Sequence, residues 1–169
     1  MVTKADIRTL KNRLAKIAQE LKGRIPEWIQ HISVKRHCST PEYGIVGKCC
    51  HYTEQLFKIA LVLMKCRPDP AETRPAPPFD FDKLTLGEAC RLMKGQQKEA
   101  AVFQGVERSA IGKTFSLLVE IVLLRNKLIH QGLSEGPWPP VKLPRLLRCV
   151  YELSDSWLIK KLLDSPDDE

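Results

Sequence analysis

The sequence predicts an all-α protein, a bundle of four to five helices with a proline-rich loop. Three observations predict it. Apolar residues recur at spacings of three and four over most of the chain. Ser or Thr followed three residues later by an acid, a helix-start signal, precedes two of these segments. No stretch alternates apolar and polar residues as a strand would, and there is no internal repeat or low-complexity tract. At 169 residues the chain suits one domain and can bury a core without disulfides or metal. Residues 1–163 are read as a single helical domain, and 164–169 as a short acidic tail.

The first helix starts with the Thr3/Asp6 pair. Ile7, Leu10, Leu14, Ile17 and Leu21 then form one apolar stripe. Gly23 is expected to end this helix, and Pro26 to open a second segment, "PEWIQHISVKR". "STPEYG" reads as a turn. A long helix follows from about Glu42 to Lys65, apolar nearly all round in its second half and therefore expected at the centre. "RPDPAETRPAPPFD" has five prolines in 14 residues and reads as an extended surface loop.

Thr85 and Glu88 form a second capping pair, and open a helix interrupted near Gly95 and expected to resume through "QKEAAVFQGV". Ser109 precedes the most regular helix, which ends near Gly132. "LSEGPWPPVKLP" is a loop. "PRLLRCVYELSDSWLIKKLL" is expected as one last helix, closed by Pro166.

The net charge is +7. It is uneven, because the last six residues, "DSPDDE", hold four acids. The first 24 residues hold seven Lys or Arg and two acids. A basic body with an acidic tail suits a polyanionic partner that the tail screens; a solvated basic surface is the plainer reading.

The six cysteines, 38, 49, 50, 66, 90 and 149, do not resemble a secreted disulfide framework, and mostly sit in apolar helical patterns. "MVTKADIRTLKNRL" does not resemble a signal peptide. The expectation is a cytoplasmic protein with free thiols. The longest apolar runs, such as "IALVLM", are far short of the roughly 20 residues of a membrane span.

The chemistry concentrates in "LLRNKLIHQG", residues 123 to 132. On a helical wheel Ile111, Phe115, Leu118, Val122 and Ile129 form an apolar seam that skips one expected position, and that position is Arg125. Lys113, Ser116, Glu120 and Lys127 form the solvated stripe. A guanidinium on an apolar seam is costly unless it is paired or opens into a polar cleft. Asn126 and His130, four residues apart, share one flank; Arg125 and His130 are about 140° apart on an ideal helix. The carbonyl end of a helix favours the imidazolium of His130, and a nearby Arg⁺ opposes it. Histidine ordinarily titrates near neutral pH, where acid–base work needs it.

The pattern "RNKLIH", placed at the end of a long helix in a small all-α chain, resembles the R-x4-6-H signature of HEPN domains (higher eukaryotes and prokaryotes nucleotide-binding). The resemblance implies a metal-independent endoribonuclease that needs no cofactor. Two protomers would pair so that their motifs face a shared cleft. It implies that His130 assists proton transfer as the RNA 2′-hydroxyl attacks the adjacent phosphate. Arg125 would bind the phosphate and stabilise transition-state charge, and Asn126 would orient groups in the cleft. Lys127 and Gln131 would be the RNA contacts. The products would be a 2′,3′-cyclic phosphate and a 5′-hydroxyl.

The implied context is a toxin or defence effector, with a protein antitoxin or a larger defence complex as partner. Gln131–Gly132–Leu133 follow His130, so the tyrosine of the H-x-Y form, found in members paired with a nucleotidyltransferase antitoxin, is missing. The alternative from the same resemblance is a non-catalytic subunit that binds RNA or nucleotide or docks on a larger partner.

Plainer readings stand beside these. Arg125 would be a buried ion pair, with Glu88 as its acid; His130 would bond the last carbonyls of its helix. "HC" at 37–38 and "CCH" at 49–51 fit no usual zinc spacing, so no metal is expected and buried thiols are. "GKT" at 112–114 lacks the upstream glycine of a phosphate loop. Trp28, Trp138 and Trp157 are read as core or loop anchors.

Overall fold

The structure is a computed structural model that describes residues 4–32, 40–65, 84–95, 100–132 and 142–165. Among them the chain is helical and has no strand, as the sequence predicts. The helices are α1 (Lys4–His31), α2 (Thr40–Lys65), α3 (Leu86–Gly95), α4 (Arg108–Gly132), α5 (Lys142–Ser154) and α6 (Trp157–Asp164), with a 3₁₀ turn at Ala101–Phe103.

The packing closes on itself. α1 lies on α2, α2 on α3, α3 on α4, α4 on α5, and α5 returns to α1. α6 lies across α1 and α2, with the 3₁₀ turn against it. Leu14, Leu21, Phe57, Leu61, Leu118, Ile121, Leu147 and Leu153 are sealed in the shared core. α2 touches α1, α3, α5 and α6, so its apolar second half is central as expected. The Pro-rich loop and the turn "STPEYG" before Thr40 lie outside the described residues.

α1 differs from its sequence expectation. It runs unbroken through Gly23 and Pro26. The reason is burial on both sides of these residues. Leu14, Ile17, Ala18 and Leu21 continue into Ile25 and Trp28 at helical spacing, and all six are buried. Pro26 is exposed, so its lost N–H falls on the solvated face, where water can serve the freed carbonyl. Tertiary burial outweighs the local break signals here.

The C-terminal segment differs in the opposite way, because one expected helix is two. Ser154, Asp155 and Ser156 are poor helix formers in succession. The Ser154 hydroxyl donates back to the Val150 carbonyl at 2.8 Å, and the Ser156 N–H tightens onto Leu153 at 3.0 Å. Asp155 then takes Lys22 of α1 at 3.3 Å and Lys160 of α6 at 3.4 Å. The break turns α6 onto α1 and α2.

The second capping pair forms as a reciprocal box. The Thr85 N–H donates to Glu88 Oε2 at 2.9 Å, and the Glu88 N–H donates to Thr85 Oγ1 at 3.3 Å. α3 ends at Gly95, where the interruption is expected; from Ala100 on, the stretch expected to resume the helix forms only the 3₁₀ turn before α4. Gly105, at φ +72°, supplies the left-handed residue between that turn and α4. The ammonium of Lys161 donates to the carbonyls of Val102 at 3.2 Å and Gln104 at 2.6 Å, which latches the turn to α6. Trp157 completes this corner edge-on to Phe103, and Phe103 in turn packs on Phe115 of α4. Trp28 is buried, so two of the three tryptophans are anchors as expected; Trp138 lies outside the described residues.

Cys49, Cys50, Cys90 and Cys149 are free and buried. Cys38 and Cys66 lie outside the described residues. No helix among the described residues is long and apolar enough to cross a membrane.

Candidate functional site

α4 runs from Arg108 to Gly132 and carries the whole motif. Its buried seam is rotated from the one the sequence suggested. Phe115 and Leu118 of the suggested seam are buried, as are Thr114, Ile121 and Leu128, while Ile111, Val122 and Ile129 are only half-buried. Arg125 falls between Ile121 and Leu128 at spacings of four and three. It therefore sits on the actual core seam, more centrally than the suggested one implied. The solvated stripe of Lys113, Ser116 and Lys127 is exposed as expected. Glu120 on that stripe accepts from Arg145 of α5 at 2.7 Å.

Arg125 is half-buried. Its Nη1 donates to Oδ1 of the adjacent Asn126 at 3.2 Å. Its guanidinium also reaches the Cys50 thiol of α2 and pulls that thiol's pKa down. Burial of Cys50 outweighs this and leaves the thiol above its ordinary value, with the Glu54 carboxylate adding to the rise. Glu54 is itself held by Lys58, one turn on, at 2.9 Å.

Among the described residues no carboxylate forms an ion pair with Arg125. The expected alternative acid, Glu88, is taken by Thr85, whose N–H and hydroxyl both donate to it. These bonds hold the Glu88 carboxyl below its ordinary pKa. α3 begins against α4 just before the motif: a methyl group at Gly87 would meet the Val122 side chain at 3.7 Å. Arg125 is therefore approached by α2 through Cys50, and lies three residues beyond the α3 contact.

His130 and Gln131 lie in the last turn of α4, but their side chains lie outside what the structure describes. By register His130 shares a stripe with Val119, Leu123 and Asn126, at intervals of four, three and four. Val119 and Leu123 are 40% and 55% exposed, so this stripe begins as an apolar solvent-facing strip. Lys127 is exposed beside it.

The arrangement places a cation, an amide and a histidine position within one and a half turns. The described neighbours of the cation are a neutral amide and a thiol, neither of which carries a compensating charge. No group of three or more His, Cys, Asp or Glu able to hold a metal occurs among the described residues. Sequence reasoning missed Cys50 as the neighbour of Arg125. A cysteine 75 positions away on another apolar helix carries no signal of that contact. No family model, curated protein or solved structure matches the chain.

Proposed function

We propose that the chain is a metal-independent endoribonuclease of HEPN type. Arg125 binds the scissile phosphate, and His130 transfers a proton as the 2′-hydroxyl attacks. Asn126 holds the guanidinium in place through the bond between their side chains. The products are a 2′,3′-cyclic phosphate and a 5′-hydroxyl. The observation that carries this reading is Arg125 itself. It occupies a core register position, yet no described acid neutralises it. A phosphate supplies the missing negative charge, and a guanidinium suits it in shape and hydrogen bonding. Stabilising charge that develops in the transition state is a large part of such catalysis and needs no metal.

The exposed Val119 and Leu123 support a homodimer. They lead along α4 to the positions of Asn126 and His130, so a second copy seated there brings two motifs together. Lys127 and Gln131 then flank the cleft as RNA contacts. The context that goes with this reading is a cytoplasmic toxin or defence effector with a protein antitoxin or larger complex.

The test is cleavage of single-stranded RNA in excess chelator, with end-group analysis of the products. Arg125→Ala and His130→Ala each abolish cutting while circular dichroism and the unfolding midpoint show a folded protein. RNA bound by wild type and both variants but never cut would overturn catalysis in favour of the non-catalytic subunit. Neither binding nor cutting would leave only the helical fold.

A further inference from the structure

α2 carries a histidine outside the motif whose ring is held in place. The Arg13 guanidinium of α1 donates to Oε1 of Gln55 at 3.0 Å, and Nε2 of Gln55 lies 2.9 Å from Nε2 of His51. The first bond fixes which end of the amide is oxygen. The end that faces His51 is therefore the NH₂, a donor, and His51 Nε2 is the acceptor. The ring proton then sits on Nδ1. No hydrogen bond to Nδ1 occurs among the described residues, and His51 is exposed. The relay thus presents solvent with one oriented N–H donor.

Its surroundings suit an anion. Lys48, three residues back on the same flank, is exposed and forms no ion pair with a described acid. Glu54 is the sole acid between Gly44 and Lys58, and Lys58 holds it at 2.9 Å. Gly44 and Gly47, seven and four residues before His51, complete the strip. Both are helical and exposed, and a methyl group built on either meets nothing within 4 Å. Glycine is disfavoured inside a helix, and neither packing nor a positive φ requires it here. Bare backbone beside a cation and an oriented donor lets a ligand lie close to the helix. Cys50, on which Arg125 acts, precedes His51 and is about 100° round α2 from it. The strip therefore adjoins the flank of α2 that meets the motif.

We infer that this strip is a second phosphate-binding position, in which the His51 Nδ1–H and the Lys48 ammonium donate to one phosphodiester and Gly44 and Gly47 leave room for the strand. That the phosphodiester is RNA rests on the proposed function; the oriented donor and the open strip do not. The contact is to the backbone, so it is indifferent to base sequence. Gln55 is a positioning residue, because it acts only through the His51 ring.

The probe is a fluorescent 20-nucleotide 2′-O-methyl oligouridine, which 2′-hydroxyl attack cannot cut, so binding is read apart from cleavage. Anisotropy over a salt series at pH 8, where an ordinary imidazole is neutral, compares the full chain with its variants. Lys48→Ser weakens binding about five-fold and lowers the salt slope by about 0.7, the value for one phosphate contact on a single strand. His51→Ala weakens it about five-fold and leaves the slope unchanged, since a neutral donor displaces no counterion. Gly47→Glu, which adds a helix-favouring residue and so spares the fold, weakens it about ten-fold by like-charge repulsion. Gln55→Ala frees the ring. Proton–nitrogen NMR correlation shows the Nδ1–H tautomer of His51 in wild type and a mixture of tautomers in this variant, and binding weakens less than in His51→Ala.

Wild-type affinity in His51→Ala, or a salt slope that falls there as much as in Lys48→Ser, overturns the neutral donor. An Nε2–H tautomer in wild type overturns the relay. Wild-type affinity in Gly47→Glu overturns the strip as the contact. Binding of phosphatidylserine vesicles but not of the oligonucleotide overturns RNA as the ligand. The two readings separate. Cleavage by wild type with none of these effects on binding sinks this inference alone, and His51-dependent binding without cleavage sinks the nuclease reading alone.

Discussion

The Arg125 guanidinium of α4 acts on the Cys50 thiol of α2, lowering a pKa that burial raises. A cation that would ordinarily be matched by a carboxylate is here faced by a neutral, buried sulfur. Burial favours the neutral thiol, so it offers Arg125 no compensating charge. The guanidinium pays part of its desolvation without an ion pair, which is the condition in which an incoming phosphate gains most.

That relationship predicts how stability responds to Arg125→Met. A side chain of similar length removes an uncompensated charge from a core register position and adds apolar contact with Ile121 and Leu128. Chemical denaturation should show a change from neutral to about 2 kcal/mol more stable, with activity lost. If instead the variant loses about 3 to 5 kcal/mol, a hidden acid was paired with Arg125, and the phosphate reading fails.

The buried thiols predict a decline of stability in base. Cys49 is pushed up from 9.0 to about 12, first by burial and then by neighbouring Cys50. Below pH 9 the folded and unfolded chains both hold this proton, and its contribution is flat. Between pH 9 and 12 only the unfolded chain releases it, so stability falls as pH rises. The slope from one such group approaches about 1.4 kcal/mol per pH unit. Urea titrations at pH 8, 9 and 10 should show a shallower decline in Cys49→Ala than in wild type. Parallel declines would assign the alkaline loss to other groups.

The box at the start of α3 predicts a cost for Thr85→Ala. The Glu88 N–H loses its Thr85 Oγ1 acceptor and the Glu88 carboxylate loses the hydroxyl donor, and the expected loss is about 1 kcal/mol at neutral pH. The Glu88 carboxyl is held low in the folded state. Its contribution is therefore present above the unfolded pKa near 4.5 and is lost as pH falls through the lower folded value. The penalty of Thr85→Ala measured at pH 3 should be smaller than at pH 7. An equal penalty at both would mean that only the threonine hydroxyl matters.

The unbroken path of α1 predicts two stabilising changes. Nothing lies within 4 Å of a methyl group built at Gly23, and the residue is helical and exposed. Gly23→Ala should stabilise by about 0.5 to 1 kcal/mol. Pro26→Ala restores a donor to the helix interior and should add about 1 to 3 kcal/mol. A loss of stability from Gly23→Ala would show that α1 bends or breaks there in solution.

Much of the site was legible because it lies on one helix. The interruption of an apolar seam by Arg125 needs only the helical period, and the flank shared by Asn126 and His130 needs only their spacing. The exact buried face was not legible. Val122 and Ile129 are as apolar as Ile121 and Leu128, so the wheel alone could not say which pair α3 and α5 would cover. Nor could it exclude Glu88 as the partner of Arg125, since that depends on the Thr85 hydroxyl and N–H capturing the carboxylate first.

By itself the sequence determined the all-α class, the Thr85/Glu88 box, the central place of α2 and the anomaly at Arg125. These follow from the 3.6-residue period and from bonds within one turn. The tertiary structure alone decided that α1 continues through Pro26, that the last segment breaks at Asp155, that Cys50 faces Arg125 and that Arg13 holds Gln55. Each of these joins residues distant in sequence, or sets burial of a whole face against a local propensity. In α1 the buried face on both sides is larger than the defect of one proline.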